Sequence, residues 1–444
     1  MPIWSGFSAR PDAIAKPNWS DCWPGSPTLR RVPIWISAPC SSLMRLPAFA
    51  SSRRTVSLRK VQAAVAASDK PGAKIMCRRI ALVARQGTEA IISLLLFALA
   101  AVLIAGSARA ATFCVTSSAE LQNALNAAAA NDEDDEIRIY ATTFVPPTTH
   151  GFKYDTLKPY SLTLAGGYIA LLGNPCAMAL RNANSTVIDG GGSRRLFGFV
   201  GYANTGDLRI TRLTFRNGIN ETNSSPVDIG GTALYNGNIT LDRVVVRDNI
   251  SAVQVIFASS GGSVVVQNSV FADNTLVPGY GGRKVAQFQS VNSNGPSGGV
   301  VFNGNTAAGN VSTVLNGSAE VVLGVSNGSL RVANSNFWGN SSLDLEFADF
   351  GNSTITIRDS NIGIHSYWGP AISTHNLYSI DPAFIGNGNY RLAGNSPLRD
   401  LGDNMAFGGI GSYDAAGGSR VMFGQVDIGA YEIQDDSIFK NGFE

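Results

Sequence analysis

The chain runs to 444 residues, with 34 Lys+Arg against 32 Asp+Glu and a formal charge of +2, but the two signs are not spread evenly. From Ala111 onward 19 Lys+Arg face 28 Asp+Glu, a balance of −9, so the positive excess belongs to the first quarter. An acidic body of this size excludes nucleic acid and anionic polysaccharide as partners held by long-range charge, leaves room for a local basic face, and is long enough for one continuous core.

Residues 1–75 mix Pro, Trp, Ser and Arg without helix or strand periodicity and do not read as a folded unit. The composition changes at Met76. Cys77-Arg78-Arg79 with Arg85 forms a positive region, 90–106 is an apolar run, and Ala108-Arg109-Ala110 places small residues where a signal peptidase reads them. The expectation is a Sec signal peptide over 76–110, cut between Ala110 and Ala111, with translation starting at Met76 and 1–75 a misassigned upstream extension. The alternative is an uncleaved anchor, because the apolar run is close to the lower length limit for spanning. Cleavage would leave no stable transmembrane domain and would send the chain to the outer-membrane surface or the medium. Three of the five cysteines lie upstream; Cys114 and Cys176 remain, and export to an oxidising compartment favours a disulfide between them over two buried thiols.

After the cut the spacing predicts a cap. Ser117-Ser118-Ala119-Glu120 has the Ser and Glu spacing of a capping box, and Leu121, Leu125 and a run of Ala continue at helical spacing to Asn131. Such a helix would cover the open end of a stack of strands. Ile137-Arg138-Ile139-Tyr140 is the expected first strand, Leu162-Thr163-Leu164 the second, and 186–192 a strand with a glycine turn.

Between Leu208 and Ile362 one pattern is written six times. Each copy opens on an apolar residue, a spacer and another apolar residue: Leu208/Ile210, Ile239/Leu241, Val264/Val266, Val300/Phe302, Leu330/Val332 and Ile355/Ile357. Seven places after the opening residue come Phe215, Val246, Phe271, Ala307, Phe337 and Ile362, and turn pairs such as Asp248-Asn249 and Asp273-Asn274 follow. Successive copies start 31, 25, 36, 30 and 25 residues apart. Alternation in short Val, Ile, Thr and Phe runs means strands, and this period means a unit that buries its face only by stacking on its neighbours. The reading is an all-β right-handed parallel β-helix over 111–434, with Asn at the turns bonding from coil to coil and length variation absorbed in loops such as 279–299. A β-sandwich with irregular hairpins is the competing architecture.

The C-terminal part carries more specific words. Ser161–Tyr168, Cys176 and Thr186–Gly192 are followed by Asp381-Pro382-Ala383-Phe384, Tyr390-Arg391-Leu392, Asn395-Ser396-Pro397-Leu398, Asp400-Leu401-Gly402-Asp403 and Asp427-Ile428-Gly429-Ala430-Tyr431-Glu432. In that order the chain resembles the choice-of-anchor Q domain proteins, secreted or surface β-helix (pectate-lyase-like) proteins of Gram-negative bacteria. The resemblance implies architecture and an extracellular destination, without an activity. It places the last coil and its closure at the DPAF and SPLRDLGD words and makes DIGAYE an edge-finishing strand. Residues 435–444 are similar to an acidic-aromatic tail on secreted proteins of some Gram-negative bacteria, which implies a sorting role; a frayed terminus is the plain alternative.

For chemistry, two readings compete: a binding or adhesive element for a polysaccharide or other cell-surface ligand, and a carbohydrate-active enzyme. A glycoside hydrolase needs two carboxylates about 5 to 9 Å apart, and Asp242, Asp248 and Asp273 come from neighbouring copies. A polysaccharide lyase would add a Ca2+ cluster beside a base such as Arg243 or Arg247, making Ca2+ the one cofactor this chain could call for. Against both, turn geometry alone explains Asp248 and Asp273. Strand alternation also puts Asp242 with Val244 and Val246 on one face, and Arg243 with Val245 and Arg247 on the other. His365 and His375, lacking a third ligand, make a poor metal site. Asn-X-Ser/Thr triplets at Asn238, Asn310, Asn316, Asn327 and Asn340 are glycan acceptors only in a eukaryotic secreted chain.

Overall fold

The structure is a computed structural model that describes residues 110–434 except 220–224, 232–234, 251–252, 258–261, 278–283, 292–298, 314–320, 350 and 369–371. The predicted extension 1–75, the signal segment apart from Ala110, and the tail 435–444 lie outside the described residues.

Among the described residues the chain forms an all-β solenoid built on a 16-stranded and an 8-stranded sheet, in which pairing is parallel but for one hairpin, Leu162–Leu171 with Asn174–Ala179. Parallel pairing between strands one coil apart is incompatible with a sandwich of hairpins. The six sequence copies are successive rungs. Leu208, Ile239, Val264, Val300, Leu330 and Ile355 are register partners in that order, as are Ile210, Leu241, Val266, Phe302, Val332 and Ile357. So are Phe215, Val246, Phe271, Ala307, Phe337 and Ile362. All eighteen are at most 2% exposed and fill one core.

The seven-residue offset needs a physical cause. Seven is odd, so unbroken alternation would put the opening residue and the seventh on opposite faces. A single left-handed residue between them resets the parity: Arg212, Arg243, Asn268, Gly304, Asn334 and Asp359 all have φ between 46° and 64°. This kink folds the long sheet into two faces. A second left-handed column, Asn217, Asp248, Asp273, Gly309 and Gly339, ends the second face. Asn, Asp and Gly tolerate that conformation.

Polar ladders run inside each corner. The Asn274 side-chain oxygen accepts from the Asn249 backbone N–H (3.1 Å) and side chain (3.0 Å), while its own amide donates to Asn310 Oδ1 (3.0 Å) and the Val246 carbonyl (3.0 Å). Asn310 repeats this onto Asn340. At the first kink Ser269, Asn305, Ser335 and Ser360 bond backbone amides of the preceding coil in the same way. Each of these side chains has a protein partner.

The helix Ser118–Ala130 caps the N-terminal end as expected. The Glu120 backbone N–H donates to Ser117 Oγ at 3.3 Å, the Glu120 carboxylate accepts from Thr116, and Leu121, Ala124, Leu125 and Ala128 face the core. One expectation is corrected: the first strand is Ala111–Val115, ahead of the helix, pairing with Asp135–Tyr140. Its lone short run of alternation was too brief to signal a strand. Likewise, the stretch 279–299 is not simply a loop, because it holds the strand Ala286–Val291 of the eight-stranded sheet.

Cys114 and Cys176 form a disulfide, Cα to Cα 5.8 Å, tying the first strand to the hairpin strand Asn174–Ala179 across a 62-residue separation. Opening a cross-link of that span is expected to cost about 2–4 kcal/mol. Denaturant unfolding of Cys114→Ser/Cys176→Ser beside the parent checks this; equal midpoints would contradict it.

The C-terminal expectation is also corrected. Residues 427–432 are not a strand, and the 381–384 and 396–403 words add no further parallel rung: Phe384 opens an antiparallel hairpin and 396–403 hold no strand. After the hairpin Phe384–Gly386 with Asn389–Leu392, the chain runs back along the outside of the first kink. Asn334 donates to the Asp403 carbonyl (3.0 Å), Asn303 to Phe407 (3.1 Å) and Gly409 (2.7 Å), and Asn268 to Ile410 (3.0 Å). The Ala183 backbone N–H donates to Ala415 O at 3.1 Å. The glycine-rich stretch before Asp427 is the body of this strap. Asn268 and Asn334 of the left-handed column, with Asn303 one place ahead of left-handed Gly304, supply the outward carboxamides, and a strap rich in glycine can lie close enough to accept them.

Candidate functional site

Asp242 is 4% exposed, and its Oδ2 accepts from Arg209 (2.9 Å), Arg243 (3.2 Å) and Thr211 Oγ1 (3.2 Å). The expectation that Asp242 and Arg243 face opposite sides is therefore wrong. Arg243 sits at φ 53°, and this left-handed step brings the two side chains together. The Arg243 guanidinium also lies 5.8 Å from the Tyr413 ring centre, with Arg181 on the same ring at 4.1 Å, so the strap covers this cluster.

Asp248 and Asp273 are turn residues, with φ 56° and 54°. One guanidinium serves both: Arg247 Nε donates to Asp248 (2.8 Å) and its terminal nitrogen to Asp273 (3.0 Å). Asp273 also accepts from the Tyr390 hydroxyl. Burial, then the hydrogen bond to the Asp273 carboxylate, pushes the Tyr390 phenol up. The structure thus splits the four candidates into Asp242 with Arg243 at the first kink and Asp248 with Asp273 at the second. In each set the carboxylates bond neighbouring Arg side chains. Neither arrangement leaves the opposed pair, one acid and one base across an open cleft, that glycosidic cleavage uses.

Beside the second set lies a groove of about 260 Å3, formed by Arg247, Tyr390, Arg391, Tyr431, Asn184 and Asn389. Its outer wall belongs to the C-terminal hairpin and strap, which is why repeat spacing could not reveal it.

A larger depression of about 400 Å3 opens on the eight-stranded sheet. It is lined by Gly198 and Val200 of the strand Phe197–Gly201 and, paired with them, Asp228 and Gly230 of the strand Val227–Gly231; Arg195, His150 and Lys153 also line it. Arg195 donates to Asp228 at 3.2 Å, and Lys153 pairs with Asp155 at 3.1 Å. Burial raises the Asp228 carboxyl, and the Arg195 charge offsets part of that rise. The alternating words 197–201 and 227–231 were the available signal, but a glycine at an outward strand position reads as an ordinary weak spot until packing is known.

Three carboxylates, Asp400, Asp427 and Glu432, place oxygens within 4.8 Å of one another under the strap. Arg420, 1% exposed, enters this cluster and donates to Glu432 at 3.1 Å, while the Asp427 oxygens accept the Asp400 (2.8 Å) and Ile433 (2.6 Å) amides. It works as a latch holding the strap's returning end. His365 and His375 pair with Leu345 and Arg358 on different sheets and do not converge. Asn310 is 0% exposed in its ladder, so that triplet is closed to glycosylation in the folded chain. Among the described residues no helix is long and apolar enough to cross a membrane. No family model and no curated protein matches the chain.

Proposed function

We propose that this is an exported, right-handed parallel β-helix of the choice-of-anchor Q kind. It acts outside the cell as a binding or adhesive element for a polysaccharide or other surface ligand. The observation that carries the reading is the condition of the candidate acids. Asp242, Asp248 and Asp273 are held by Arg209, Arg243 and Arg247, while the eight-stranded sheet presents a depression with polar side chains. Structural ion pairs at the first place and a recessed polar surface at the second suit binding better than bond cleavage. Export is supported by the signal-like segment 76–110 and by a disulfide in the chain that follows. A cut after Ala110 would leave the strand Ala111–Val115 whole.

The test is assay of the purified chain on a glycan panel, reading bound glycan together with new reducing ends or unsaturated products. Retention of at least one glycan with no product release is the expected result. Product release that disappears in Asp242→Asn or Asp248→Asn would establish the carbohydrate-active enzyme instead.

A further inference from the structure

Most glycines in this solenoid have a local reason. A Cβ on Gly201 would meet the Tyr235 ring at 2.6 Å, one on Gly218 would meet Leu196 at 2.7 Å, and Gly304 and Gly309 need φ of 64° and 67°. Gly198 and Gly230 have none of these reasons. Neither has positive φ; a Cβ on Gly230 meets nothing within 4 Å, and one on Gly198 meets only the end of the Arg195 side chain at 3.6 Å. Glycine in a strand interior costs backbone entropy and gives up the packing of a side chain. Two such glycines on adjacent strands, diagonal to each other because Gly198 pairs with Asp228 and Val200 with Gly230, are a cost the fold does not require. What they provide is two patches of bare backbone, set between the side chains of Val200 and Asp228, in a depression of about 400 Å3, within the size range of small-ligand sites.

The polar lining decides the chemistry. Among the described residues its Arg and Lys side chains are already matched, Arg195 by Asp228 and Lys153 by Asp155, which leaves neither of them unpaired for a carboxylate or sulfate. The Arg195–Asp228 couple offers planar donors and acceptors to adjacent hydroxyls, and the bare peptide groups of Gly198 and Gly230 let a ring approach closely. We infer that the Gly198/Gly230 depression is a subsite for a neutral sugar unit of a polysaccharide, with the ring lying against the bare glycine backbone and its hydroxyls bonded to Arg195 and Asp228. This rests on the binding function proposed above and names its place and ligand class.

The test uses the full purified chain and immobilised neutral glucan, mannan and galactan oligosaccharides, with polygalacturonate as the acidic probe. The expected result is that a neutral probe binds, and that Gly230→Val and Gly198→Val each weaken it at least tenfold while thermal midpoints hold or rise. Asp228→Asn should weaken the same probe with both glycines intact. Undiminished binding in both glycine variants would overturn the subsite and leave the binding function standing. A lowered midpoint in both would show that packing needs the glycines and overturn it equally. Binding of polygalacturonate alone would overturn the neutral class. Binding of no probe by the parent chain would overturn both the subsite and the proposed function.

Discussion

Arg420→Ala is expected to destabilise the chain by about 3–5 kcal/mol, more than any surface ion pair here, because it strands a buried carboxylate. Arg420 donates to Glu432 (3.1 Å) and to the carbonyls of Asp427 (3.1 Å) and Gly429 (2.8 Å), and both charged side chains are 1% exposed. Removing the cation leaves Glu432 beside Asp427 with no countercharge. Burial already pushes the Glu432 carboxyl up to about 7 against the pull of Arg420. Without that pull the folded value rises further above the unfolded one, so the folded variant prefers the protonated acid. The variant's stability is then best at low pH and falls as pH rises through the folded value. Its loss relative to the parent should therefore be larger at pH 8 than at pH 5. Urea unfolding of both chains at the two pH values checks this, and a pH-independent difference would show that the cost is packing alone. The double change Arg420→Met/Glu432→Leu, which removes both charges, should recover part of the loss.

Asn274→Asp is expected to cost about 2–4 kcal/mol, and more than Asn274→Ser, although its shape is nearly unchanged. The Asn274 amide donates to Asn310 Oδ1 and the Val246 carbonyl at 3.0 Å each, while its oxygen receives Asn249. A carboxylate keeps the accepting side but turns both donations into acceptor–acceptor contacts at a site 0% exposed. Lowering the pH should partly rescue the variant, since a protonated acid can donate once. Thermal midpoints of the two variants between pH 4 and 8 decide the matter; an Asp variant no worse than the Ser variant would contradict the ladder's donor direction.

The solenoid was legible because its determinants repeat. Apolar pairs at positions two apart, a third apolar residue seven on, and turn Asn or Asp recur often enough to set register by inspection, and each aligned triplet is a rung. The parity step was hidden because its residues are chemically mixed: Arg212 and Arg243 occupy the left-handed position beside Asn268, Gly304 and Asn334. Without it, strict alternation separates Asp242 from Arg243, which in fact touch. The strap was illegible for a different reason. Its contacts join Asn268 to Ile410 and Asn303 to Phe407, more than a hundred residues apart, through backbone carbonyls that carry no side-chain signature. Gly198 and Gly230 were visible as letters, but their meaning depends on what a Cβ would have met.

A stack of coils in which each touches only its neighbours can fray from either end and open a few rungs at a time. The strap changes that connectivity. By bonding Asn334, Asn303, Asn268 and Ala183 in turn, and by latching its returning end through Arg420, one segment bridges coils that otherwise communicate only through those between them. Opening any one of these coils strains a tie shared by the others. The solenoid is thereby turned from a zipper into a bound sheaf, whose middle coils gain cooperativity that nearest-neighbour stacking alone does not supply.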